Sequence, residues 1–275
     1  MKGITPNMPP EQYFAIPAMN QSTLKKALVN SEELQHAIKG GVNVTEDMLW
    51  GTAFHTALIE PDRFGAYYKV WQKQPKKSTA AFMEDLNAAR VEGFELYRSD
   101  WDIDTMVNAV KRHPEASAIL ECPGGQCELS LVWDREGVPA KCRLDGVWLE
   151  HGVVVDVKTT RDVETRDIES ESQYRGYFFQ AAYGIEGLRA LTGRQDWKWY
   201  HVWVKKDAPH TVRVTVVHPS AIEHGRLMVQ RAWGIWRGCV NSGAWTAYPT
   251  VDEIVAQPWA MNELSQGYES GEMKI

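Results

Sequence analysis

The spacing of apolar residues changes character near residue 126 of this 275-residue chain. Upstream of that point, apolar positions recur at helical intervals over residues 23–38 and 45–61, and residues 80–120 predict two or three further helices. Residues 66–72 instead combine aromatic and β-branched side chains in a way that predicts a short strand. The first part of the chain is therefore expected to be mainly helical.

Downstream of residue 126, apolar residues alternate with polar ones or form β-branched runs, as expected for strands. Three such runs, separated by short turns, predict an antiparallel meander over residues 127–134, 140–150 and 153–160. A long helix, two paired strands and a last helix follow, and they are predicted at residues 165–192, 197–206, 210–218 and 219–238. This order indicates a mixed α/β or α+β fold built around one central sheet.

Composition and charge narrow the function classes. The net charge of −6 argues against a protein that coats nucleic acid, but an enzyme can gather acids around metal ions and confine its basic residues to a groove. The four cysteines form no CxxC pair, which argues against zinc-finger and iron–sulfur arrangements. No apolar stretch approaches the ~20 residues of a membrane span, and no secretory signal is visible. A cytoplasmic location is therefore expected.

The candidate chemistry lies at the end of the third predicted strand. Asp156 and Lys158 are two residues apart in an extended run, so their side chains point to the same face. A hairpin can bring Asp145 alongside Asp156. Two carboxylates can hold Mg²⁺, the metal can activate a water for attack on a phosphodiester, and the lysine can orient that water or stabilise negative charge. His55 and the Val157 carbonyl are further candidate ligands.

Each of these signals also has a structural interpretation. An acid and a lysine at a strand end commonly form a solvated ion pair of little consequence, and a single histidine on a helix is more often structural than a ligand. Gln180 and Tyr183 share one helix face, which is equally compatible with packing on the sheet. The run VVVDVK favours the chemical interpretation, because a carboxylate that follows three β-branched residues is expected to be buried and to need a partner.

Four motifs occur in an order that resembles a known family. They are GTAFHTALIEP, CELSLVWD together with KCRLDGV, VVVDVKTT, and GYFFQAAYG. Over roughly residues 18–240, the chain resembles the RecB-like branch of the PD-(D/E)xK nucleases. It is more closely similar to the C-terminal nuclease domain of the RecE (exonuclease VIII) type and its phage-encoded relatives. Each motif alone is weak, and only the ordered set is specific.

The resemblance implies a restriction-endonuclease-like core with a central mixed sheet flanked by helices, preceded by an N-terminal helical region. A single nuclease domain would span residues 1–275, with a mainly helical part at 1–120, a catalytic core at 121–240 and a C-terminal tail at 241–275. The positions that match functional residues of the family are the metal ligands His55, Asp145 and Asp156, the catalytic Lys158, the acid Glu128 on the preceding strand, and Gln180 and Tyr183 of the helix motif bordering the active site.

The resemblance also implies an activity. Family members degrade linear double-stranded DNA with Mg²⁺, for which Mn²⁺ is expected to substitute, running 5′ to 3′ and leaving 3′ single strands for annealing-type recombination. A RecT-like single-strand annealing protein is the implied partner, and a ring-shaped homo-oligomer is the implied assembly. Two alternatives stay open: an end-independent DNA endonuclease of the same fold, and a catalytically inactive module that binds DNA or a partner protein.

Contacts with DNA are expected from basic and hydroxyl side chains near the predicted site. Phosphate contacts by such groups dominate the affinity for nucleic acid, and a helix start can hold a terminal phosphate. For the lysines, an ordinary solubilising surface is the alternative. The candidates are Ser22, Lys25, Lys76, Lys77, Thr159 and Arg161.

Overall fold

The computed structural model describes residues 2–40, 44–72 and 79–248. Its strands are β1 (Gly3–Thr5), β2 (Met19–Asn20), β3 (Tyr68–Trp71), β4 (Glu95–Arg98), β5 (Gln126–Arg135), β6 (Val138–Trp148), β7 (Val153–Thr160), β8 (Lys198–Lys205) and β9 (Val212–Val216). Its helices are α1 (Pro10–Ala15), α2 (Gln21–Leu24), α3 (Ser31–Ile38), α4 (Glu46–Ile59), α5 (Pro61–Tyr67), α6 (Thr79–Val91), α7 (Ile103–Arg112), α8 (Pro114–Leu120), α9 (Thr165–Arg175), α10 (Tyr177–Thr192) and α11 (Pro219–Ser242), and a short 3₁₀ helix (Lys25–Leu28) follows α2.

One seven-stranded mixed sheet organises the molecule. Its order is β1-β5-β6-β7-β8-β9, and β2 pairs with β6 outside this path. Strands β5, β6 and β7 form the expected antiparallel meander. Strand β8 runs parallel to β7, because α9 and α10 cross over between them, and β9 returns antiparallel to β8. The prediction of a mixed α/β fold with a central mixed sheet flanked by helices is confirmed.

Apolar residues cover both faces of this sheet. Because successive side chains of a strand point to opposite faces, Val154 belongs to one buried cluster and Val155 to the other. The first cluster joins the sheet to the 3₁₀ helix, α3, α10 and α11, and the second joins it to α4, α6, α7 and α8. The sheet is therefore the middle layer of the molecule, with helices on both faces. The division into a helical part at 1–120 and a catalytic core at 121–240 stays a prediction. Among the described residues, no helix is long and apolar enough to cross a membrane.

Two helices predicted as continuous are broken. The stretch 23–38 is interrupted at Asn30, whose side chain accepts a hydrogen bond from the backbone N–H of Glu33 at 2.8 Å and so begins α3. The stretch 165–192 is interrupted at Gly176, which adopts a left-handed φ of 71°. The apolar periodicity continues through both points, so a pattern of spacing alone gave the wrong prediction there.

The helical region also contains a strand that the sequence pattern did not predict. Strand β4 pairs in parallel with β3 to form a separate two-stranded sheet. Strand β3 itself was predicted within residues 66–72, and the three helices α6, α7 and α8 fall in the predicted stretch 80–120. Strand β4 was missed because a run of four residues with two charged ends has no clear period.

Candidate active site

Strands β6 and β7 separate at the point where their acids lie. The ladder between them ends at Gly146 and Val155, and the next residues are Asp145 and Asp156. Beyond that pair, the Asp145 carboxylate accepts a hydrogen bond from the backbone N–H of Val157 at 2.8 Å. A side chain thus continues the hydrogen bonding that the diverging backbones have lost. The two acids line a cavity of about 610 Å³ at this fork, which we call the active cavity.

Helix α4 adds a histidine to the fork. The helix begins at Thr45, whose side chain accepts from the Met48 N–H. One turn before its end lies His55, with Nε2 at 2.9 Å from Asp145 Oδ2 and Nδ1 at 3.6 Å from Glu128 Oε1. His55, Glu128 and Asp145 each offer an atom within 4.8 Å of the others. The structure therefore brings together three of the residues that the sequence selected.

The pKa values of this cluster reflect an excess of buried negative charge. Burial lowers the pKa of His55, but Asp145 and Glu128 outweigh it and raise the pKa to about 9. Burial disfavours the charged form of Asp145, and the adjacent His55 nonetheless holds the pKa of that carboxyl below its usual range. Burial raises the pKa of Glu128, and it raises the pKa of Asp156 to about 6 against the attraction of Lys158. A bound cation would replace the positive charge that the proton on His55 provides.

The donor set fits a divalent metal ion. Within the described part of the chain, His55 Nε2 and Asp156 Oδ2 are buried and lack a hydrogen-bond partner of acceptable geometry, although each lies close to a group of opposite charge. Leaving buried polar atoms unsatisfied is costly, whereas a divalent cation takes lone pairs from imidazole nitrogen and carboxylate oxygen. Val157 lines the same cavity, and its carbonyl stays a predicted ligand.

Lys158 and Gln180 form a closed arrangement with Asp156. Lys158 Nζ lies 2.5 Å from Asp156 Oδ2 and donates to Gln180 Oε1 at 3.0 Å. Gln180 Nε2 in turn donates to Asp156 Oδ1 at 2.6 Å. Burial lowers the pKa of Lys158, but Asp156 and Asp145 outweigh it and raise the pKa above its ordinary value. Lys158 is therefore an ammonium group, held in place by an amide that the sequence also selected.

The tyrosine at the site is not the one that the sequence suggested. Tyr183 is fully buried, packs edge-on against Trp133 and donates its hydroxyl to the Met19 carbonyl at 2.8 Å, and it does not line the active cavity. Tyr177 does line the cavity, and its ring centroid lies 4.5 Å from Lys158 Nζ. Tyr177 begins α10 directly after the break at Gly176. The apolar spacing of this stretch predicts one continuous helix, and it therefore gives no reason to single out Tyr177.

A second histidine lies behind Asp156. His201 is opposite Asp156 in the parallel pairing of β7 and β8, and its Nε2 lies 3.7 Å from Asp156 Oδ2. Burial lowers the pKa of His201 to about 3, so the ring is neutral. The same Nε2 accepts a hydrogen bond from Trp199 Nε1 at 3.2 Å. His201 is thus a neutral side chain next to the Asp156 carboxylate. This contact was not predicted, because the register of β8 on β7 cannot be read from a single sequence.

Glu128 is held by Arg143, which itself contacts the N-terminal segment. Its backbone adopts an uncommon φ of 48°, and Arg143 Nη1 lies 3.4 Å from its Oε2. Arg143 also donates to the Met8 carbonyl at 2.8 Å, and its guanidinium lies 4.5 Å from the centroid of the Tyr13 ring. The N-terminal segment therefore supports Glu128 through a single arginine.

The predicted DNA contacts divide into three groups. Thr159 lines the active cavity, and Arg161 lines an adjoining one. Lys25 donates to the Arg175 carbonyl at 2.5 Å, and Ser22 donates to the Asn20 side chain on the exposed surface. Lys76 and Lys77 lie outside the described residues.

A mixed sheet that splits between two acids, with a lysine two residues beyond the second, defines the PD-(D/E)xK class of nuclease folds. The family described as "PDDEXK-like domain of unknown function (DUF3799)" matches residues 21–250, and the chain belongs to that family. The fold and family indicate a nuclease, and they imply DNA as the class of substrate. The narrower resemblance to the RecE type stays a prediction.

Two solved structures are similar to this chain to different degrees. A candidate exonuclease from Eubacterium rectale is similar to this chain with a TM-score of 0.57 and 16% identity, over 95% of this chain and 99% of that chain. A phage-related exonuclease from Haemophilus somnus aligns with a TM-score of 0.37 and 11% identity, over 82% of this chain and 96% of that chain. The first of these likenesses supports the fold. No curated protein matches the sequence.

Proposed function

We propose that this protein is a Mg²⁺-dependent exodeoxyribonuclease that degrades linear double-stranded DNA. The observation that carries the proposal is the meeting of His55, Asp145, Asp156 and Lys158 in one cavity, with Glu128 beside them. Carboxylates and an imidazole beside a fixed ammonium suit hydrolysis of a phosphodiester. Mn²⁺ is expected to replace Mg²⁺, because both ions accept carboxylate oxygen ligands.

Different residues of the site have different chemical roles in this proposal. His55, Glu128, Asp145 and Asp156 would hold the ion. When bound, a divalent cation activates water and stabilises the charge that develops on the phosphate. Lys158 carries a raised pKa, so it acts as a hydrogen-bond donor to water or to a phosphate oxygen and not as a base at neutral pH.

Gln180 and Tyr177 position Lys158. Gln180 accepts from the Lys158 ammonium while it donates to Asp156, so it fixes the distance between cation and acid. The Tyr177 ring covers another side of the ammonium and limits its movement. The lysine is therefore preorganised, which favours electrostatic stabilisation of a transition state.

We further propose that digestion runs 5′ to 3′ and leaves 3′ single strands for annealing-type recombination in the cytoplasm of a bacterial host. A RecT-like annealing protein is the partner in this hypothesis, and a ring of identical subunits is the assembly. The polarity, the product, the partner and the assembly rest on the resemblance of the ordered motifs to the RecE type. Light scattering tests the ring, since a monomer in solution would contradict it.

Digestion of linear duplex DNA labelled at either the 5′ or the 3′ end tests the proposed activity. The wild-type protein is incubated with Mg²⁺ or with EDTA, beside a Lys158→Ala variant and a closed-circular substrate. We expect Mg²⁺-dependent loss of linear DNA from the 5′ end, with no loss in the variant or on the circle. A thermal unfolding curve of the variant confirms that it is folded.

Each other outcome supports a specific alternative. Cutting of the sealed circle would overturn end dependence and support the end-independent endonuclease. Binding of DNA without hydrolysis in Mg²⁺ or Mn²⁺ would overturn the enzyme and support a module that only binds DNA or a partner.

A further inference from the structure

A second cavity adjoins the active cavity. It has a volume of about 360 Å³ and shares with the active cavity the residues Asp47, Thr159, Arg175 and Lys206. Because the two share these walls, they form one continuous depression. We call the second cavity the side groove; its remaining wall includes Arg161, Glu171 and Tyr174.

Tyr174 stands out among the residues of the side groove. It lies in the last turn of α9, and its side chain is 91% exposed, the highest value among the exposed large hydrophobic residues of the described ranges. It makes no hydrogen bond or ring contact with any described residue. Aromatic rings gain considerable free energy when a flat partner covers them. An uncovered ring beside a candidate nuclease site is thus an available stacking surface.

The side groove offers little unpaired positive charge to a duplex. Arg175 pairs with Glu171 at 2.6 Å, and Lys206 pairs with Asp47 at 2.7 Å. Among the described cations of the groove, Arg161 makes no hydrogen bond or ion pair. Duplex binding depends on neutralising many phosphates, which one unpaired cation cannot do. An unpaired strand instead gains affinity when its bases stack on aromatic side chains.

We propose that Tyr174 stacks on an unpaired base of the DNA substrate, with Arg161 beside the neighbouring phosphate. The strand then passes from the side groove into the active cavity. This inference rests on the proposed function, because it takes DNA as the substrate, and it adds that the substrate end is engaged as a single strand.

Binding of a fluorescein-labelled oligothymidine of about 20 nucleotides, followed by anisotropy in EDTA, tests the inference. The full-length protein is compared with Tyr174→Ala and Tyr174→Phe, and each is also given an abasic strand of equal length. We expect Tyr174→Ala to weaken binding of oligothymidine about 5- to 150-fold, and Tyr174→Phe to bind as the wild type does. Binding of the abasic strand should be the same in all three proteins, because that strand offers no base.

Tyr67→Ala is the matched control. Tyr67 is also an exposed tyrosine, with 53% of its side chain accessible, and it lies on α5 outside both cavities. Its removal should leave both affinities unchanged. Thermal unfolding of each variant excludes a general loss of structure.

The outcomes separate this inference from the proposed function. Equal affinity of wild type and Tyr174→Ala for oligothymidine overturns the inference, as does an equal loss on the abasic strand. If hydrolysis is observed alongside either result, the proposed function survives and only the inference fails. Base-dependent loss in Tyr174→Ala without any hydrolysis overturns the proposed function and keeps Tyr174 as a stacking residue.

Discussion

At one end of the active cavity, the His55 imidazolium faces the carboxylates of Asp145 and of the adjacent Glu128, and Arg143 also contacts Glu128. At the other end, Lys158 lines the cavity and Lys25 lies near it, outside the lining residues. Lys158 has a carboxylate partner, whereas Lys25 donates to a backbone carbonyl. Burial, followed by the repulsion from Lys158, lowers the pKa of Lys25 to about 8. The acidic end therefore favours binding of a cation, whereas the basic end favours binding of an anion. This difference matches the two charges that a metal ion and a phosphate bring.

The largest expected effect comes from neutralising the acidic end. Asp145→Asn removes a predicted ligand and the partner of His55, so we expect hydrolysis to fall about 10³-fold or more. Addition of Mg²⁺ should stabilise the wild type against thermal unfolding by about 2.7 kcal/mol at a hundredfold excess over the dissociation constant, and the variant should lose this gain. Asp104→Asn, an exposed acid on α7, is the control. Unchanged Mg²⁺ stabilisation in Asp145→Asn would place the ion elsewhere.

A smaller effect is expected at the basic end. Lys25→Met keeps the aliphatic part of the side chain and removes the charge, so affinity for DNA should fall about tenfold and the slope of log affinity against log salt should decrease by about 0.9. Lys26→Met removes the next residue's exposed charge and is the matched control. Equal salt dependence of wild type and Lys25→Met would show that Lys25 only caps α9.

The same lysine predicts a pH dependence of stability. The ordinary pKa of 10.5 falls to about 8 in the folded protein, so between these values the unfolded chain binds the extra proton. The Lys25 contribution to the free energy of unfolding therefore rises as pH increases from about 8 to 10.5, by up to about 3 kcal/mol. Urea unfolding of wild type and Lys25→Met across this range measures the difference. A constant difference between the two proteins would contradict the lowered pKa.

The smallest effect is expected on the far side of α10. Tyr183→Phe removes the hydrogen bond to the Met19 carbonyl and should cost about 1 kcal/mol of stability. Hydrolysis should be unchanged, since Tyr183 does not line the active cavity. A large loss of hydrolysis at unchanged stability would restore the role at the site that the family resemblance implied.

What the sequence could predict depends on how local the signal is. The run VVVDVKTT predicted both a buried strand and a shared face for Asp156 and Lys158, because period and β-branching are properties of neighbouring residues. The breaks at Asn30 and Gly176 were missed, since capping and left-handed backbone act at one residue while the apolar spacing continues.

The remaining misses concern contacts between distant segments. Tyr177 faces Lys158 because α10 begins at that residue, and His201 faces Asp156 because β7 and β8 pair in one particular register. Neither the start of α10 nor the register is set by the spacing of residues in a single sequence. Glu128 was selected through the family resemblance alone. Arg143 lies within the motif KCRLDGV, but the spacing of residues does not show that it contacts Glu128.

The bond between Asp145 and the Val157 N–H makes one predicted metal ligand part of the sheet itself. The gap between the two carboxylates is then set by how far two strands diverge, and not by the freedom of long side chains. If the ion binds between these carboxylates, the backbone would determine which ionic radius fits. An ion too large for the gap would have to push apart strands that are hydrogen-bonded a single residue away.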